Sequence, residues 1–279
     1  MHVTITPPAR LGHTRLPDGR RLGWAEWGPA TGTPVVLCTG AGTSRWLGFG
    51  AGVVDDLGVR LIALDRPGLG ASDPDPGRTL DSWPADVAAL GLGEIRVVGN
   101  SQGAPFALAC AFLPGVRRVA VVSGADEVAT MADLLPDHFR DLVKTVAADP
   151  AGAQEFFTSF TPDKLWDMIV PNSPAADRAV YEQPEFASAY RRAMDEAFAQ
   201  GPGGYARDTV LAMGRWPYAL GEVPVPVDLW YGELDTSHSP DQGATLARRI
   251  PGARRHLVPG AGGSVLWTHA EPILRALLA

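Results

Sequence analysis

Gly99-Asn100-Ser101-Gln102-Gly103 is a G-x-S-x-G pentapeptide set between an apolar run, Ile95-Arg-Val-Val98, and a stretch able to form a helix, Ala104 to Phe112. A sharp strand-to-helix turn there forces the serine into strained dihedrals and lifts its hydroxyl above the sheet edge, where it can act as a nucleophile. The flanking glycines answer a steric need, because side chains at 99 and 103 would meet the neighbouring strand and helix. The new helix aims its first amides at the serine, where negative oxygen develops during acyl transfer. The backbone N–H of Gln102 is therefore one candidate oxyanion donor. The second is expected at Ala41, in the turn Thr39-Gly-Ala-Gly-Thr43 after the first core strand. A tight turn whose serine merely caps a helix would read the same way, so the surrounding elements have to decide.

Those elements can be read from period and length. Pro17-Asp18-Gly19 is a turn between two short alternating segments, so residues 12–27 predict a hairpin. Brief apolar runs follow at 34–38, 59–64, 95–98 and 118–122, separated by stretches long enough for helices. This is the pattern of a parallel sheet covered on both faces. Each run ends in a glycine-rich or polar turn, and ligands of open parallel sheets bind beyond the carboxyl ends of strands. From Glu127 to Leu220 no strand is evident. Apolar and aromatic residues recur there at helical spacing, as in Phe186, Tyr190, Met194 and Phe198. Strands resume at 227–231 and 255–258, and an amphipathic helix, Ala270 to Leu278, follows. The expectation is α/β, with a core at 1–125 and 221–279 and an inserted helical cap at 126–220.

Composition removes other classes. The net charge of −7 across 279 residues leaves no basic face for nucleic acid. No apolar stretch approaches the roughly 20 residues needed to span a bilayer. The opening MHVTITPPAR lacks the basic-then-apolar layout of a signal peptide, so a cytoplasmic location is expected. The two cysteines, Cys38 and Cys110, lie in apolar segments and read as small buried hydrophobes. They have no histidine cluster beside them, so no metal is expected.

The chain resembles small bacterial α/β-hydrolases of the ester-hydrolase and haloperoxidase-like type. The resemblance rests on Gly99 to Gly103, on Asp65-Arg-Pro-Gly-Leu-Gly-Ala-Ser-Asp73, on Trp230-Tyr-Gly-Glu-Leu-Asp235 and on Val258-Pro-Gly-Ala-Gly-Gly263. It implies the α/β-hydrolase fold, with a mostly parallel central sheet flanked by helices. It also implies that Asp235 is the acid that orients an imidazole and stabilises its cation. Asp126, at the end of an earlier strand, is an alternative acid site. Many relatives carry His-Gly where this chain has Thr39-Gly40.

The base is missing from its usual place. Relatives carry Gly-His in the loop after the last strand, and here Gly263 stands in the histidine position. Of the six histidines, His2 and His13 belong to the N-terminal arm and His138 to the cap. His256 lies within the last strand, and His269 opens the terminal helix. His238 is the best substitute, three residues past Asp235 in a loop at the active edge. A triad without its histidine loses about 10⁶ in turnover. Gly263 is therefore open to three explanations: a substitution that disables a hydrolase, recruitment of the fold to a non-hydrolytic reaction, or binding without chemistry.

The cap offers Phe156, Phe157, Phe160, Trp166, Met168, Tyr181, Phe186 and Tyr190. Most should pack together. Phe157 and Trp166, with Trp46 after the first glycine turn, are candidate substrate contacts in an apolar pocket. Arg45 could hold a carboxylate but reads more simply as a surface arginine. The expected activity is serine-dependent acyl hydrolysis or transfer on a medium-sized apolar ester, thioester or lactone, without cofactor. A tailoring enzyme performing cyclisation or elimination, or a small-molecule-binding protein, is the alternative. Nothing in the sequence sets the number of subunits.

Overall fold

The turn at Pro17-Asp18-Gly19 closes because Gly19 adopts the left-handed region, φ 89°, at no steric cost. In the computed structural model, which describes residues 2–279, it joins β1 (Arg10–Arg15) to β2 (Arg21–Trp27), with Arg15 opposite Arg21. The apolar runs become β3 (Thr33–Cys38), β4 (Val59–Leu64), β5 (Ile95–Asn100), β6 (Val116–Val122), β7 (Val227–Gly232) and β8 (Arg254–Val258). They form one eight-stranded sheet in the order β1-β2-β4-β3-β5-β6-β7-β8. The two pairings made by β2 are antiparallel and the others are parallel.

Period-2 alternation distributes the central strands over two apolar layers. Val36, Cys38, Ile62, Leu64 and Val97 pack with Trp83, Phe106 and Leu108 on one face. Val35, Leu37, Leu61, Ala63 and Val98 pack with Leu266, Ile273, Leu274 and Leu277 on the other. Cys38 and Cys110 are both fully buried and unbridged. The terminal helix spans Ala270–Leu278 as expected, whereas the helix after Ser101 is shorter, Ala104–Cys110.

Between β6 and β7 the described residues form helices and no strand: Asp137–Ala148, Pro150–Phe157, Pro162–Ile169, Ala175–Tyr181, Pro184–Ala197 and Gly203–Met213. Three of these begin at a proline, whose fixed φ suits the first helical position and whose missing N–H costs nothing there. Asp149 and Thr161 cap two of them, accepting from Gly152 N and Lys164 N. Their apolar faces meet in a third cluster, which includes Leu165, Phe186, Tyr190, Met194 and Tyr205 and also takes in Leu47 and Leu69 from the core.

Strand order decides where chemistry can occur. The chain steps from β3 outward to β4, then crosses back to β5 on the other side of β3. The crevice at such a reversal is where open α/β sheets bind ligands. Cys38 lies opposite Gly99, so the turn after β3 and the turn after β5 face each other. Among the described residues no helix is long and apolar enough to cross a membrane.

Candidate active site

Ser101 has φ 51°, a left-handed conformation that costs a non-glycine residue energy and persists only where its surroundings enforce it. Here they do. A Cβ at Gly99 would lie 2.7 Å from Ala107 Cβ, and one at Gly103 would lie 2.1 Å from the Cys38 carbonyl oxygen. Asn100 Nδ2 donates to Val122 O at 3.1 Å, and Ala125 N donates to Ser101 O at 2.9 Å. The turn from Thr39 packs against the serine, with the Cβ position of Gly40 3.8 Å from Ser101 Oγ. Ala41 N–H donates to no acceptor among the described residues. Gln102 sits in the single-turn helix Ser101–Gly103, whose first amides have no intrahelical partner.

Two carbonyls of the turn after β3 are held by a buried arginine. Arg66, wholly buried, donates to Thr39 O at 2.6 Å and Gly40 O at 3.1 Å and pairs with Asp208 at 2.6 Å. Thr39 Oγ1 also bridges the turn, to Thr43 O at 2.7 Å.

Asp235, 1 % exposed, accepts from His238 Nδ1 at 2.9 and 3.0 Å and from the backbone amides of Ser237 and His238. Burial pushes the Asp235 carboxyl up, but the His238 charge and hydrogen bonds outweigh it and hold the group below the ordinary carboxylate range. Burial opposes charge on His238 as well, yet the carboxylate of Asp235, then its hydrogen bond and Asp177, leave the imidazole above its usual value. Nε2 of His238 has no hydrogen-bond partner among the described residues. The loop carrying it is pinned: Ser239 Oγ donates to Asp126 at 3.1 Å and accepts from Gly243 N at 2.9 Å. Asp126 thus braces the loop and does not touch the imidazole.

The Gly262-Gly263 pair makes room for two side chains from elsewhere. A Cβ on Gly263 would lie 2.7 Å from His238 Cε1, and a Cβ on Gly262 would lie 2.1 Å from Asp177 Oδ2. The imidazole therefore occupies the space that a side chain at 263 would need. Asp177 accepts from Gly263 N at 2.7 Å and Ser264 N at 2.9 Å.

Ser101, Ala41, Asp235, His238 and Gly263 share one cavity of about 280 Å³. Its apolar wall includes Leu47, Met168, Ile169, Tyr181, Tyr190 and Trp267. Ser101 Oγ makes no hydrogen bond to His238 among the described residues, as is common in unliganded serine sites. Three expected substrate contacts do not line this cavity. Trp46 faces a separate surface groove, under Arg192 at 3.5 Å. Phe157 is buried against Phe156, Phe160 and Tyr205. Trp166 packs on Tyr190, with Arg191 4.0 Å above its ring. Arg45 is likewise not a surface residue: it is 8 % exposed and pairs with Asp65 and Glu196. The other histidines lie apart. His256 bonds to Asp228 at 2.8 Å and stacks on Trp230, while His269 bonds to Thr268 at the start of the terminal helix.

Sequence reasoning missed Asp177, Asn172, Ser173 and Trp267 in the cavity wall. Only Asp177 left a trace, four residues before Tyr181 and so on the same helix face.

Residues 33–270 match the sequence profile described as alpha/beta hydrolase fold. A 2-hydroxy-6-oxononadienedioate/2-hydroxy-6-oxononatrienedioate hydrolase of Pseudomonas putida is 25 % identical over 293 residues, covering 100 % of this chain and 98 % of its own. A non-heme chloroperoxidase of Streptomyces lividans is 33 % identical over 145 residues, 46 % of this chain and 49 % of its own. Among solved structures, a thermophilic esterase of Thermogutta terrifontis superposes with a TM-score of 0.71 at 21 % identity, covering 97 % of both chains.

Proposed function

The chain belongs to the α/β hydrolase fold family as one of its enzymes, and from that premise we propose that it is a serine-dependent carboxylic ester hydrolase whose base, His238, comes from the loop after β7 rather than the loop after β8. The observation that carries the reading is the imidazole of His238, bonded through Nδ1 to Asp235 and seated where a side chain at 263 would stand.

In this scheme Ser101 Oγ attacks the acyl carbonyl carbon and its proton passes to His238 Nε2. Asp235 holds the Nδ1–H tautomer and stabilises the imidazolium. The tetrahedral oxyanion accepts from the Ala41 and Gln102 amides, and its collapse expels the alcohol, protonated by His238. Water, deprotonated by the same imidazole, then releases the acid. The tailoring and pure-binding alternatives drew their force from the absence of a base, and an imidazole bonded to Asp235 supports hydrolysis over them. A cavity of about 280 Å³ lies near the small end of ligand pockets, which favours short or medium acyl groups in an ester, thioester or lactone. A dioate of the kind named for the Pseudomonas relative would bring carboxylates to a wall that already holds Asp177 and Asp235.

Hydrolysis of p-nitrophenyl butyrate tests the assignment. Ser101→Ala and His238→Ala should each lower kcat by about 10⁴-fold or more. Unchanged turnover in His238→Ala would remove the base. A wild-type protein that neither hydrolyses the ester nor labels with a fluorophosphonate would remove the hydrolase reading.

A further inference from the structure

We propose that Asp177 makes the cavity selective for uncharged acyl groups and excludes those that end in a carboxylate. The proposal rests on the hydrolase reading above for the identity of the cavity. Helix Ala175–Tyr181 delivers Asp177 to the cavity wall, where the residue is 1 % exposed. Its two oxygens accept from the Gly263 and Ser264 amides. Those amides satisfy part of its hydrogen-bonding capacity but bring no positive charge, and Asp177 forms no ion pair among the described residues. The other carboxylate in the wall, Asp235, is matched by His238. Two carboxylates in the wall thus share a single imidazole, which interacts with Asp177 as well as Asp235, so the wall carries negative charge in excess.

No lysine or arginine lines the cavity among the described residues. Arg45, a buried arginine of the turn after β3, is paired with Asp65 and Glu196. An acyl chain carrying its own carboxylate would lose hydration on entry and meet like charge without a compensating cation. A neutral chain of the same length can lie on the apolar part of the wall, Met168, Ile169, Tyr190 and Trp267, and brings no like charge to Asp177. Discrimination here comes from an element that repels the wrong ligand as well as from contacts that attract the right one.

The test uses the full chain and two matched amides that bind without needing turnover: butyryl 4-nitroanilide and succinyl mono-4-nitroanilide, titrated calorimetrically. The neutral amide should bind at least about tenfold more tightly. Asp177→Asn should narrow the ratio to within about threefold, and Met168→Lys, at the partly exposed rim, should narrow or reverse it independently. The Lys variant keeps the question open to measurement even if the Asn variant loses its fold. Equal or tighter binding of the succinyl compound by the wild type would overturn the proposal. So would an unchanged ratio in a folded Asp177→Asn protein, or failure of both amides to bind at millimolar concentration. If the ratio is as expected while p-nitrophenyl butyrate is not hydrolysed, the selectivity stands and the hydrolase reading falls.

Discussion

At the residue scale the molecule turns on an exchange of space between positions 238 and 263. The glycine at 263 leaves a void and the imidazole fills it. A methyl group restored by Gly263→Ala should push His238 off Asp235 and lower kcat by roughly 10²-fold, the cost of about an ångström of misplacement, with little change in Tm. Wild-type kinetics in that variant would mean the imidazole is not held where it acts. The complementary double change, His238→Ala with Gly263→His, should recover turnover well above that of His238→Ala alone. The pH profile follows from the same pair. In the proposed scheme His238 must be neutral to accept a proton, and its pKa is raised. The acid limb of kcat/KM should therefore lie above the ordinary imidazole value of about 6.5. In Asp235→Asn the burial penalty acts unopposed by that carboxylate, so the limb should move to lower pH while the plateau falls. Stability is linked to the same shifts. The raised imidazole contributes fully below about pH 6.5, and that contribution is lost as pH rises through its folded value. The depressed Asp235 contributes above about pH 3.9 and loses its contribution on acidification. The pair should help most between these limits.

At the element scale, the turns that carry the proposed site are anchored by groups outside it. Arg66 joins the turn after β3 to helix Gly203–Met213 through Thr39, Gly40 and Asp208. Arg66→Met should cost about 3–5 kcal/mol in urea denaturation, because it leaves buried carbonyls and a buried carboxylate short of partners. A loss below about 1 kcal/mol, the range of an ordinary surface pair, would deny it that role. Ser239 does similar service for the loop after β7. Ser239→Ala should reduce kcat more than it raises KM, as expected when a base is loosened and substrate contacts are kept.

On the scale of the whole molecule, the helices between β6 and β7 are tied to the sheet by more than apolar contact. Asp208 pairs with Arg66, Glu196 with Arg45, and Asp177 with the Gly263 and Ser264 amides. Their apolar cluster also includes Leu47 and Leu69. Separate melting would strip charged partners from buried groups on both sides. Calorimetry should therefore show one cooperative transition, with calorimetric and van't Hoff enthalpies equal. Two resolved transitions would show the helices to be an independent unit.

The serine turn, the strand runs and the helical stretch after β6 were legible in the chain itself, because each is written in a local pattern: period 2, period 3.6, or a glycine where no side chain fits. Asp235 and the histidine missing from 263 were expectations drawn from resemblance, and His238 was named from its spacing to Asp235 as the best substitute base. That its imidazole stands against position 263 was not written in the chain. His238 and Gly263 come from different loops, and Asp177 reaches Gly263 across a separation of 86 residues. Such meetings depend on how strands order and how loops pack against them, and no local spacing encodes that. The same limit explains why Trp46, Phe157 and Trp166 do not line the cavity, since an aromatic ring packs against whichever neighbours the tertiary fold brings to it.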